Sequence, residues 1–99
     1  MTDYEDQSHD LIAHVRASID AFDGSRLSIG RLSTDLRSQL AALESVADSR
    51  WVEELRAMRN QIEVVNAFLI ESGRSSLNED ERREVEDILG VLRAALVAY

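Results

Sequence analysis

At 99 residues the chain is the size of one domain and can bury one modest core, with little left to enclose an active site as well. A net charge of −8 opposes binding to nucleic-acid phosphates, and the absence of cysteine excludes disulfides and thiol chemistry and fits a reducing compartment. There is no proline, and Ala, Leu, Arg and Glu outweigh strand formers, which directs the chain to an all-α fold.

The opening "MTDYEDQSHD" is polar and acidic, unlike a signal or transit peptide. No apolar run reaches the ~20 residues that span a bilayer, so a cytoplasmic protein without a membrane segment is expected. The first helix is predicted over residues 7–22, with Leu11, Ile12, Val15, Ile19 and Phe22 on one stripe at helical spacing. "DGS" at Asp23–Ser25 ends it, and Gly24 suits the left-handed cap position. The second helix is predicted over residues 28–46, opening at Ser28 as N-cap. Ile29, Leu32, Leu36, Leu40 and Leu43 form its stripe. Gln39 takes the remaining seam position, where it either reaches water from the edge of the core or fixes register.

Asp48 or Ser49 caps a third helix over residues 49–71. Trp51, Leu55, Met58, Ile62, Val65 and Leu69 repeat at steps of four and three, the seam of a bundle helix. In "IEVVNAFLI" Val64, Phe68 and Ile70 widen the apolar face, so this half is expected to be the most buried part of the fold. "ESGRSS" is a loop with Gly73 as helix stop. The fourth helix is predicted over residues 78–97. Asn78 and Glu81 stand at the spacing of a capping box, with Leu77 in the staple position before it. Glu79 and Asp80 complement the helix dipole in the first turn. Val85, Ile88, Leu89, Leu92 and Leu96 give the last core stripe. Four such helices joined by short loops make a single-domain, up-and-down, four-helix bundle-like fold.

Catalytic and metal motifs are missing from the sequence. His9 and His14 are five residues apart, one too many for a shared helix face, and Asp10 with His14 supplies only two ligands. There is no Glu-x-x-His pair, no phosphate-binding glycine loop and no nucleophile elbow. A binding protein without metal or cofactor is therefore expected, ahead of an enzyme.

Charge is distributed unevenly. Residues 1–23 carry −5, residues 24–77 are neutral, and residues 78–87 carry −4. On the fourth helix Asp80, Glu84 and Asp87 share a face about 130° from the core stripe, and Val91 falls on it. Asp87 is also one turn from Arg83. On the first helix Asp6, Asp10 and Asp20 lie opposite the core stripe. An up-and-down bundle sets the first and last helices side by side, so the two acidic faces are expected to merge. These seven residues are the candidate partner-binding set, led by Asp80, Glu84, Asp87 and Val91.

From Ile29 to Leu96, "SIGRLSTDLRSQLAALES", a Trp followed by "ELRAM", and "QIEVVNAFLIESGRSSLNEDERREVEDILGVLRAAL" resemble small acidic helical immunity proteins of polymorphic toxin and contact-dependent inhibition systems. Similar chains often carry a second aromatic in the third helix, where this one has Met58 and Arg59. The resemblance implies a bacterial protein that binds and blocks a cognate toxin domain; the net charge of −8 fits a basic one, a nuclease being one such class. The alternative is a helical scaffolding module that pairs with other helices or with itself.

Overall fold

The four predicted stripes each become one helix in the computed structural model, which describes residues 3–98 and, within them, the side chains of residues 7–97. The helices are α1 (Asp3–Asp23), α2 (Ile29–Glu44), α3 (Ser49–Glu71) and α4 (Glu79–Ala98), and no strand occurs among the described residues. α1 starts earlier than expected, and α2 is shorter, ending before Val46. α1 packs on α2, α2 on α3 and α3 on α4, while a slighter α1–α4 contact closes the ring. This is the up-and-down arrangement. The molecule measures 48 × 23 × 19 Å, so it has one core layer.

Local chemistry sets the helix ends. Ser28 Oγ accepts from the Arg31 amide at 3.1 Å, and Asp48 Oδ1 accepts from the Arg50 and Trp51 amides at 2.8 and 3.4 Å. Both α1 and α3 end in a left-handed residue that lets the following amides turn back onto the last carbonyls. After α3 that residue is Gly73, with φ of 70°. After α1 it is Ser25, with φ of 61°, and not Gly24. The Ser25 amide donates to Phe22 O at 2.9 Å and the Arg26 amide to Ala21 O at 2.7 Å, which places the turn one residue later than the glycine suggested.

The core holds the expected residues of α2 and α4 in full, and Ile12, Val15, Ile19 and Phe22 of α1. On α3 the seam is rotated. Leu55, Ile62, Val65 and Leu69 are buried, but Trp51 and Met58 are half-buried, while Val52 and Arg59 lie inside. Trp51 uses its position to donate from Nε1 to Ala95 O at 3.0 Å, tying the start of α3 to the end of α4. The Arg59 side chain donates to Ser33 O at 3.3 Å, Ser33 Oγ at 3.1 Å and Glu63 Oε2 at 3.1 Å, and the Ser33 hydroxyl also donates to Glu63. Gln39 does not reach for water. Its Nε2 donates to Ser18 Oγ at 2.9 Å across the α1–α2 seam, and its Oε1 is buried without a partner among the described residues.

The expectation that Val64, Phe68 and Ile70 form the most buried region is overturned. They are 69%, 58% and 68% exposed. α3 has neighbours on only two sides, α2 and α4, so an apolar face wider than that arc has nothing to cover it.

Leu55→Ala and Ile62→Ala, each at a site with no exposure, should lose about 2–5 kcal/mol of stability in denaturant titrations. Ser25→Gly should gain up to about 1 kcal/mol in the same assay, since a left-handed non-glycine residue costs about that much.

Candidate partner-binding face

The direction in which α4 presents its carboxylates follows from its core stripe. With Val85, Leu92 and Leu96 inward, a step of about 100° per residue turns Arg82 and Arg93 to one flank and Asp80, Glu84, Asp87 and Val91 to the other. The arginine flank meets α1. Arg93 reaches Asp20 at 2.6 Å and Asp23 at 2.7 Å, and the Arg82 guanidinium lies 5.5 Å from the centre of the Phe22 ring. The acidic flank therefore borders α3. There Asp87, Ile88 and Val91 line an open groove of about 560 Å³ with Glu54, Ala57, Met58 and Gln61.

On α3, Val64 and Phe68 continue the line of Ala57 and Gln61 at helical spacing. One face thus carries exposed Val64, Phe68 and Val91 with Asp80, Glu84 and Asp87 beside them. None of these three acids makes an ion pair among the described residues. The one-turn pairing of Asp87 with Arg83 does not form; Arg82 pairs instead with Glu86, at 3.3 Å.

The acidic faces of α1 and α4 do not merge as expected. Asp20 is joined to α4, but through Arg93, on the flank away from Asp80, Glu84 and Asp87. Its charge is already met by that cation. Asp10 is exposed on α1, which has no contact with α3. Asp6 belongs to α1, but its side chain lies outside the described residues. The structure brings together Asp80, Glu84, Asp87 and Val91 and adds Val64 and Phe68. Sequence periodicity holds the signal for that addition, a stripe of α3 beyond its seam that looks like core until the number of neighbouring helices is known.

The start of α4 is held rigidly. The Asn78 amide donates to Glu81 Oε1 at 2.9 Å and the Glu81 amide to Asn78 Oδ1 at 2.8 Å, the reciprocal capping box. Arg74, from the preceding loop, adds two bonds to the same carboxylate at 2.8 and 2.6 Å. That guanidinium, together with the Asn78 amide, lowers the Glu81 pKa from 4.5 to about 2. Among the described residues no group of three His, Cys, Asp or Glu side chains is placed to hold a metal ion, and no helix is long and apolar enough to cross a membrane.

No family model matches the chain, and no curated protein or solved structure shows significant similarity to it.

Because the Glu81 pKa is lowered on folding, its contribution is complete above about 4.5 and is lost as the pH falls toward about 2. Glu81→Gln keeps an acceptor for the cap but removes the ion pair. Its stability deficit relative to wild type, measured by denaturant titration, should be present at neutral pH and shrink across that acid window.

Proposed function

We propose that this chain is an immunity-type binding protein that occludes a basic toxin domain with the α3–α4 face. The observation that carries the reading is the pairing of three carboxylates that form no ion pair among the described residues, Asp80, Glu84 and Asp87, with exposed Val64, Phe68 and Val91. Interfaces with long lifetimes use apolar anchors inside a polar rim, and complementary charge raises the association rate. Both parts are on this face. The resemblance of Ile29–Leu96 to immunity proteins supplies the partner class, and a cytoplasmic bacterial setting goes with it.

The second reading is a self-associating helical module, since exposed Phe68 and Val91 also suit a copy of the chain. Docking two such faces would bring two acidic rims together in a chain of net charge −8, which favours a cationic partner.

The test is co-expression with a toxin domain found encoded beside this chain, followed by association kinetics on the purified pair. Wild type should restore growth and bind with a rate that falls as salt rises. The variant carrying Asp80→Arg, Glu84→Arg and Asp87→Arg should keep its helical circular dichroism but associate at least about tenfold more slowly. Unchanged rate and affinity would remove this face from the interface. A wild-type chain that ignores the toxin domain and sediments as a dimer would favour the second reading.

A further inference from the structure

The end of the bundle where the α1–α2 and α3–α4 loops meet contains a second cavity, of about 410 Å³, within the size range of small-ligand clefts. Its floor is apolar, from Phe22, Leu27, Leu69 and Leu77, and Arg74 and Arg82 stand at its rim. Among the described residues no Asp or Glu lines it, in a chain where acids outnumber bases 19 to 11. The two arginines are paired outside the lining with Glu81 and Glu86. Arg74 gives only its terminal nitrogens to Glu81, and Arg82 meets Glu86 through Nε, so each keeps N–H groups for another acceptor.

Two further observations lie deeper in the cavity. Asn66 is only 9% exposed, and its carboxamide, which makes no hydrogen bond among the described residues, keeps its polar atoms open to the cavity it lines. The start of α2 also opens here. Ser28 satisfies the Arg31 amide, while no hydrogen bond among the described residues uses the amides of Ile29 and Gly30, at the positive end of the helix dipole. Gly30 leaves the space between these groups free, for a Cβ there would stand 3.6 Å from Asn66 Oδ1 and 3.9 Å from Asn66 Nδ2.

We propose that this cavity binds a small organic carboxylate with an apolar body. The carboxylate takes the α2 amides, the Asn66 Nδ2–H and an arginine N–H, and the body covers the floor beneath Phe22 and Leu69. The site is separate from the α3–α4 face and does not rest on the reading given for it.

Amide-resolved NMR titration of the intact chain tests this, with benzoate as probe and benzyl alcohol as its uncharged counterpart. Benzoate should cause saturable shifts centred on Ile29, Gly30, Asn66 and the loop from Ser75 to Leu77, and benzyl alcohol should bind about tenfold more weakly, having no charge-assisted bond. Gly30→Ala, which suits a helix and meets only ordinary contacts, should fold and weaken benzoate about tenfold by filling the space. Asn66→Leu should weaken it comparably by removing the donor. Water as the only occupant would show as the absence of saturable benzoate shifts, and would overturn the proposal. So would equal binding of benzyl alcohol, or full benzoate affinity in both variants.

Discussion

The burial of Arg59 constrains how this bundle is assembled. A guanidinium moved from water into a helix interface costs several kcal/mol unless its donors and charge are met. Ser33 on α2 and Glu63 one turn along α3 meet them together. The requirement is geometric: sliding α2 along α3 by a turn would remove the Ser33 carbonyl and hydroxyl while leaving the charge buried. Leucine stripes alone tolerate such slips, because one leucine replaces another. The α2–α3 pair, the most extensive interface, is thus held in a single alignment, and α1 and α4 are laid on its two ends of the sequence. Arg56 repeats the device at the solvent edge, reaching Glu44 at 2.6 Å.

From that alignment the exposed α3–α4 face follows. A four-helix ring offers each helix two neighbours, an arc that a single stripe fills. α3 carries apolar residues beyond that arc, and α4 carries carboxylates on the flank that borders it. The flank facing α1 had to hold cations, since α1 brings Asp20 and Asp23 there. Arginine on one side and free carboxylates on the other make α4 an electrostatically two-sided helix. Among the described residues, only one side has its charge met.

What could be read from the residues was mostly what is local or periodic. The Asn78–Glu81 cap was legible because both partners lie within one turn, and the α2 and α4 stripes because each is a single clean row. Arg74 escaped because it reaches Glu81 across a loop whose path no spacing reveals. Arg59 gave no signal because it is charged, although at about 100° per residue it falls within roughly 60° of both Leu55 and Ile62 on the core side. Val64 and Phe68 were visible as a wider apolar face, but width in one helix does not say how many neighbours it has. Gly24 marked the right turn and the wrong residue, because the helix continued one position further before the chain reversed. The α3–α4 groove and the loop-end cavity depend on which flanks meet, and that is a property of all four helices at once.

The closing seam between α1 and α4 differs in kind from the other three. It is the slightest contact, and the polar links that cross it among the described residues are exposed pairs from Arg93 and the ring of Phe22 under Arg82. Exposed ion pairs contribute roughly 0–1 kcal/mol and weaken with salt. The ring of helices therefore behaves as an open book with the α2–α3 pair as its spine. Partial unfolding is expected to start along the fore-edge, in a unit smaller than the whole domain. Amide protons on the facing sides of α1 and α4 should then exchange with solvent ahead of those along the spine, and faster in concentrated salt than in dilute buffer.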